Sequence, residues 1–241
     1  MKAMILAAGH GTRMRPLTDH TPKPLLQVGG KPLIVWHIEK LKQAGFHDIV
    51  INIAWLGEQI PEALGDGSQF GVSIQYSDEQ NEGALETAGG IIKALPLLCG
   101  ACAEQSGDRQ DEVFLVVNGD VWCDYPYTSQ SPIKEGDLAH LILVNNPEHN
   151  PKGDFAYYNN RVDVDGCSHN KFTFSGIGYY RAALFNELPK RKLALAPILR
   201  RAMYKQAVSG ELYQGDWRDI GTPERLQQLD KELLNRCETD K

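Results

Sequence analysis

The sequence predicts an α/β protein with a mainly parallel sheet flanked by helices and a smaller lobe of antiparallel strands. Three observations carry this. Short apolar runs alternate with helical patterns through the first half, as in successive βαβ units. The first run is followed directly by Gly9 and Gly11, a turn at the carboxyl end of a strand, where open parallel sheets place their ligands. After Asp120 the pattern changes to shorter strands separated by polar turns. A chain of 241 residues, 42% hydrophobic, suffices for one Rossmann-like domain with an inserted lobe.

The elements follow in order. Ala3 to Ala8 reads as a buried first strand. A helix is expected from about Pro32 to Ala44, with proline near its start, Leu33, Ile34, His37, Ile38 and Leu41 on one face, and Gly45 to end it. Strands are expected at Asp48 to Ala54, Val72 to Tyr76, Val113 to Asn118 and Leu138 to Val144, with a second helix after Thr87 and an exposed loop from Gly100 to Asp111. Phe155 to Tyr158, Arg161 to Val164 and Phe172 to Tyr180 read as the antiparallel strands of the second lobe. Helices return at Leu193 to Lys205 and from Thr222 onward, with Thr222 as N-cap and Pro223 at the first helical position.

Composition narrows the function. A net charge of -6 opposes a nonspecific nucleic-acid footprint, so a phosphate-rich ligand would need locally placed cations together with a metal. No apolar stretch approaches the ~18 residues of a membrane span. The N-terminal run meets glycines rather than a small-residue cleavage site, so a cytoplasmic protein without membrane association is expected. Five cysteines, an odd number, argue against a disulfide framework, and the lone Cys99/Cys102 pair reads as incidental. None of the seven histidines forms a metal or nucleophile motif, and His37 reads as a core residue.

The chemistry gathers in the glycine-rich start. Gly9 and Gly11 permit a tight turn whose backbone N–H groups can approach an anion, and Arg13 and Arg15 add charge beside it. Lys23, between Pro22 and Pro24, sits in a stiff extended segment. Neither GxxxxGK[ST] nor GxGxxG/A fits, the latter because Met14 stands where a third small residue belongs. By itself GxG reads equally well as a strand-to-loop turn with surface cations. Asp120, at the end of the apolar strand through Asn118, would face the same crevice and suits Mg²⁺, although Asn-Gly-Asp is also good turn chemistry.

The longer pattern, Leu6 to Thr18 followed by Thr21 to Leu25, resembles the L-A-A-G-x-G-T-R-M-x-P-L-T and T-P-K-P-L signature of sugar-phosphate nucleotidylyltransferases. That resemblance implies the nucleotide-diphospho-sugar transferase fold, with residues to about 125 binding nucleotide and the remainder forming a sugar-binding lobe and C-terminal helices. It implies nucleotide contacts from Ala8, Gly9, Gly11, Thr12, Arg13, Lys23, Thr87 and Gly89, and a Mg²⁺ held by Asp120 and Asp219. Asp219 by itself reads equally as a helix-capping carboxylate. Arg13, Lys23, Asp120 and Asp219 are then the catalytic set, and Asn118 and Asp154 the sugar contacts. Glu86 stands where the family commonly has glycine, and Thr87 and Gly89 read equally as a helix cap and a packing glycine.

Ile51 to Gly57, Leu64 to Gly71, Val117 to Trp122 and Gly153 to Phe155 resemble the short bacterial N-acetylmuramate α-1-phosphate uridylyltransferases of cell-wall recycling. The implied partners are UTP and a sugar 1-phosphate. The same elements are less complete in mannose-1-phosphate guanylyltransferases, the alternative reading. The chain has no room for the extensions of longer relatives, so a monomer is expected. A catalytically silent sensing module on the same fold is the reading from another class, opposed by the joint presence of the four catalytic candidates.

Overall fold

The computed structural model describes residues 1–100, 110–164 and 170–239, with side chains to residue 236. Cys102, Cys167 and the Cys237 side chain, and most of the loop expected from Gly100 to Asp111, lie outside the described residues.

The chain opens with β1 (Ala3–Leu6), and after the glycine-rich segment come the short β2 (Gln27–Val28) and β3 (Lys31–Pro32) and helix α1 (Leu33–Gln43). Then follow β4 (Asp48–Ile53), α2 (Gln59–Leu64), β5 (Ser73–Asp78), α3 (Glu86–Leu98), β6 (Val113–Asn118), β7 (Val121–Cys123) and β8 (Ala139–Val144). The second half contributes β9 (Phe155–Tyr158), β10 (Arg161–Asp163), β11 (Lys171–Arg181), α4 (Leu195–Tyr204), β12 (Val208–Tyr213), β13 (Trp217–Asp219) and α5 (Pro223–Thr239).

Nine strands form one sheet in the order β5-β4-β1-β6-β11-β8-β12-β10-β9. The strands β5, β4, β1 and β6 are mutually parallel, as the alternation predicts. From β6 onward the sheet is mixed: β11 runs antiparallel to both β6 and β8, while β12 is parallel to β8. The antiparallel strands expected as a separate lobe are therefore the far end of the same sheet, where β9 pairs with β10 and also reaches the start of β11. The reason lies in β11, whose eleven residues span two neighbourhoods, β9 at one end and β6 and β8 at the other. The bridging strand β12 has too little period-2 alternation to stand out in the sequence.

Alternate residues of the parallel strands feed two cores. Met4, Val50 and Val116 pack with Ile91, Ala94 and Leu199 on the α3/α4 face. Ile5, Ile51, Leu115 and Val117 pack with Ile34, Ile38 and Leu41 on the α1 face. Burial on both faces explains why these strands read as continuous apolar runs. A third cluster sets Leu226, Leu229 and Leu233 of α5 against Trp122 and the fully buried Met14, fastening the glycine-rich segment to the C-terminal helix. Thr222 caps that helix as expected, its Oγ1 accepting from the Arg225 N–H at 3.5 Å.

His37 belongs to this packing and not to the chemistry. It is 2% exposed on α1, and burial lowers its pKa to about 4, against 6.5 ordinarily. A depressed histidine contributes stability above its unfolded value that is lost as pH falls toward the folded one. The loss should reach about 3 kcal/mol between pH 6.5 and 4. Urea denaturation of wild type and His37→Met across that window should show the wild-type midpoint falling more steeply; parallel curves would refute it.

Candidate active site

Strand β1 ends at Leu6, and the following residues wrap over the carboxyl ends of β1, β4 and β6. Gly11 adopts φ +61°, and a Cβ there would lie 2.9 Å from Thr18 Cγ2, so only glycine suits the turn. The turn is closed by the Thr18 hydroxyl, which donates to the Gly11 carbonyl at 2.8 Å. The one-turn helix Thr12–Met14 follows, with Met14 anchored in the core and Arg13 left at the surface of the cavity. Pro22 and Pro24 frame a second such turn, Lys23–Leu25. The Lys23 side chain is only 9% exposed, and its Nζ lies 3.0 Å from Asp120 Oδ2.

These segments line one cavity of about 340 Å³. Of the nucleotide and catalytic candidates, Ala8, Gly9, Gly11, Thr12, Arg13, Lys23, Thr87 and Asp120 line it, together with the expected sugar contact Asn118. A second cavity of about 480 Å³ adjoins it, sharing Glu86, Thr87 and Asn118 and including Asp154. Asn118 sits at the junction because β11 bulges opposite it. Gly176 takes φ +81° there, with Asn118 Cγ 2.7 Å from where a Cβ would be.

Two candidates are placed differently. Gly89 does not reach the cavity; its N–H donates to the Leu193 carbonyl at 3.2 Å, and a Cβ would meet the Arg191 carbonyl at 2.5 Å. The close approach of the chain before α4 requires glycine at this position. Asp219 lies beside Asp120 through the β7–β13 ladder, where the Ile220 N–H donates to the Asp120 carbonyl at 2.9 Å. Its carboxylate faces Arg225 at 2.5 Å and His149 at 3.3 Å, while Gly221 carries that segment to the cavity wall.

Asp154 is committed to holding the chain. Its carboxylate accepts from Asn150 Nδ2 at 3.1 Å and from the Phe174 N–H at 2.9 Å. Glu86 has φ +60°, so the position keeps the left-handed backbone of a glycine while carrying a side chain into both cavities, 3.8 Å from Lys192.

The sequence reading missed a buried pair. Glu79, 0% exposed, accepts from Asn52 Nδ2 at 2.7 Å and from the Leu85 N–H at 2.8 Å, while Asn52 Oδ1 accepts from the Ala7 N–H at 2.8 Å. One carboxylate thereby ties the glycine-rich segment to the start of α3 across β4 and β5. Polar residues ending two apolar strands were the only available signal. Burial raises the Glu79 pKa above the ordinary 4.5, so the native state holds this proton more tightly than the unfolded chain. Stability relative to Glu79→Gln should therefore fall as pH rises above the ordinary 4.5 and through the raised folded-state value, a difference in which the shared His37 titration cancels. A pH-independent gap between the two urea midpoints would refute this.

Among the described residues, no three His, Cys, Asp or Glu side chains converge as a metal cage. Asp120, immediately before β7, and Asp219, on β13 paired with β7, still suit a hard cation that takes one or two carboxylates and completes its shell with phosphate oxygens and water. Nor does any described helix have the length and apolarity to cross a membrane.

Residues 2–153 match the nucleotidyl transferase family. The chain is 54% identical over 236 residues to the N-acetylmuramate alpha-1-phosphate uridylyltransferase of Neisseria meningitidis serogroup B, covering 95% of this chain and 96% of that protein. It is 31% identical over 236 residues to the mannose-1-phosphate guanyltransferase of Yarrowia lipolytica, covering 92% of this chain but only 61% of that longer protein. The solved CTP:phosphocholine cytidylyltransferase of Streptococcus pneumoniae superposes with a TM-score of 0.70 at 22% identity, covering 96% and 98% of the two chains, a likeness of fold.

Proposed function

Because the chain belongs to the nucleotidyl transferase family, we propose that it transfers UMP from UTP to N-acetylmuramate α-1-phosphate, releasing pyrophosphate and serving cell-wall recycling in the cytoplasm. The observation that carries this is the pair of adjoining cavities: one gathers the glycine turn, Arg13, Lys23 and Asp120, and the other opens from it past Asn118. Residues to about 125 serve the nucleotide and the remainder the sugar, with the chain acting as a monomer.

A phosphate oxygen of the sugar 1-phosphate attacks the α-phosphorus in line, forming the new O–P bond as the bond to the β-phosphate oxygen breaks and pyrophosphate departs with its electrons. The nucleophile is already an anion, so no serine, cysteine or histidine needs activation. Catalysis is positioning and charge neutralisation. Backbone N–H groups around Gly9 and Gly11 cradle the triphosphate, Arg13 meets the β- and γ-phosphates, and Lys23 meets the α-phosphate. Thr87 contacts the nucleotide, and Asn118 and the Asp154 segment hold the sugar. Mg²⁺, held by Asp120 and Asp219, would neutralise charge developing on pyrophosphate.

The deciding experiment measures pyrophosphate release with Mg²⁺ across four NTPs and a panel of sugar 1-phosphates. The highest kcat/KM is expected for UTP with N-acetylmuramate 1-phosphate. A preference for GTP with mannose 1-phosphate would replace this reading with the guanylyl one, and no turnover with any pair would leave a sensing module.

A further inference from the structure

The second cavity raises the question of what its walls recognise. Thr87 and Asn118 line both cavities at their shared rim, where the proposed reaction places the phosphates, whereas Arg200 lines the second cavity and not the first. Arg200 stands on α4, is exposed, and has no ion pair or hydrogen bond among the described residues. The neighbouring charges are committed: both Asp154 oxygens are engaged, and Glu86 faces Lys192. Among the described residues, Arg200 is thus the one guanidinium on a wall otherwise built of two carboxylates, small polar groups and apolar side chains.

N-Acetylmuramate differs from N-acetylglucosamine by one feature, the lactyl ether on O3, which ends in a carboxylate. With the anomeric phosphate at the shared rim, O3 lies across the ring, away from the nucleotide cavity. A guanidinium is the side chain best matched to a carboxylate, through two parallel N–H···O bonds. We propose that Arg200 recognises the lactyl carboxylate and is the residue that selects a carboxylate-bearing sugar 1-phosphate. The inference rests on the substrate reading above.

The test compares wild type, Arg200→Gln and Arg200→Lys with UTP and either N-acetylmuramate 1-phosphate or N-acetylglucosamine 1-phosphate, the latter read by turnover or as a competitive inhibitor. Arg200→Gln should raise KM for the muramate substrate by about tenfold to a hundredfold with kcat little changed. It should leave KM for UTP, the constant for the glucosamine compound and Tm unchanged. Arg200→Lys, which keeps the charge without the fork, should fall between. An unchanged muramate KM in Arg200→Gln, or an equal loss toward both sugars, would overturn the role of Arg200 while leaving the activity intact. Failure of wild type to turn over the muramate substrate would instead overturn the substrate reading, and Arg200's role with it.

Discussion

Asp120→Ala should lower kcat/KM for pyrophosphate release by about 10³-fold, the largest effect expected of any single substitution in this chain. Asp120 is the proposed metal ligand that lines the nucleotide cavity directly, and its side chain is 39% exposed there. Removing it also takes the 3.0 Å partner from Lys23, so some loss of folding stability should accompany the kinetic one. Asp120→Asn separates the two effects. It keeps the shape and an oxygen for Lys23 but removes the charge that a hard cation requires. Its kcat/KM should fall nearly as far while Tm changes little, and the Mg²⁺ concentration for half-maximal rate should rise. Turnover unchanged in both variants would remove Asp120 from the reaction.

Lys23→Met should cost about 10²- to 10³-fold in kcat/KM, chiefly in kcat. Methionine preserves the length and packing of a side chain only 9% exposed, so the protein should remain folded. What disappears is a cation held by two flanking prolines at one place beside Asp120, where the proposed reaction would accumulate charge on the α-phosphate. A compact ammonium aimed at a point is not replaced by a planar fork, so Lys23→Arg should recover little. Steady-state kinetics with UTP and N-acetylmuramate 1-phosphate measure both. A rise in KM for UTP with kcat preserved would make Lys23 a ground-state binding residue only.

The legible features were local ones. The parallel strands announced themselves as apolar runs because they are buried on both faces, and Val113–Asn118 has the boundaries expected for it. The glycine turn was legible because a φ of +61° favours glycine and a Cβ at Gly11 would collide with Thr18, and α5 because Thr222 and Pro223 suit a helix start. Most of the candidate site follows from these segments, as the shared cavity of Gly9, Arg13, Lys23 and Asp120 illustrates. The Glu79–Asn52 link and the place of Arg200 were not legible, since each depends on which distant segment faces the residue.

The sequence by itself determined the parallel half, the glycine turn with its cations, and the carboxylate at the end of β6, because backbone preference and hydrophobic period are encoded within a few neighbouring residues. Only the tertiary structure decided that the antiparallel strands continue the main sheet, that Gly89 lies against the chain before α4, and that Asp219 comes beside Asp120. Those outcomes turn on pairings between segments far apart in the chain. The three-residue strand β13 has no periodicity of its own, and its ladder with β7 joins residues about a hundred positions apart, a contact with no local signature.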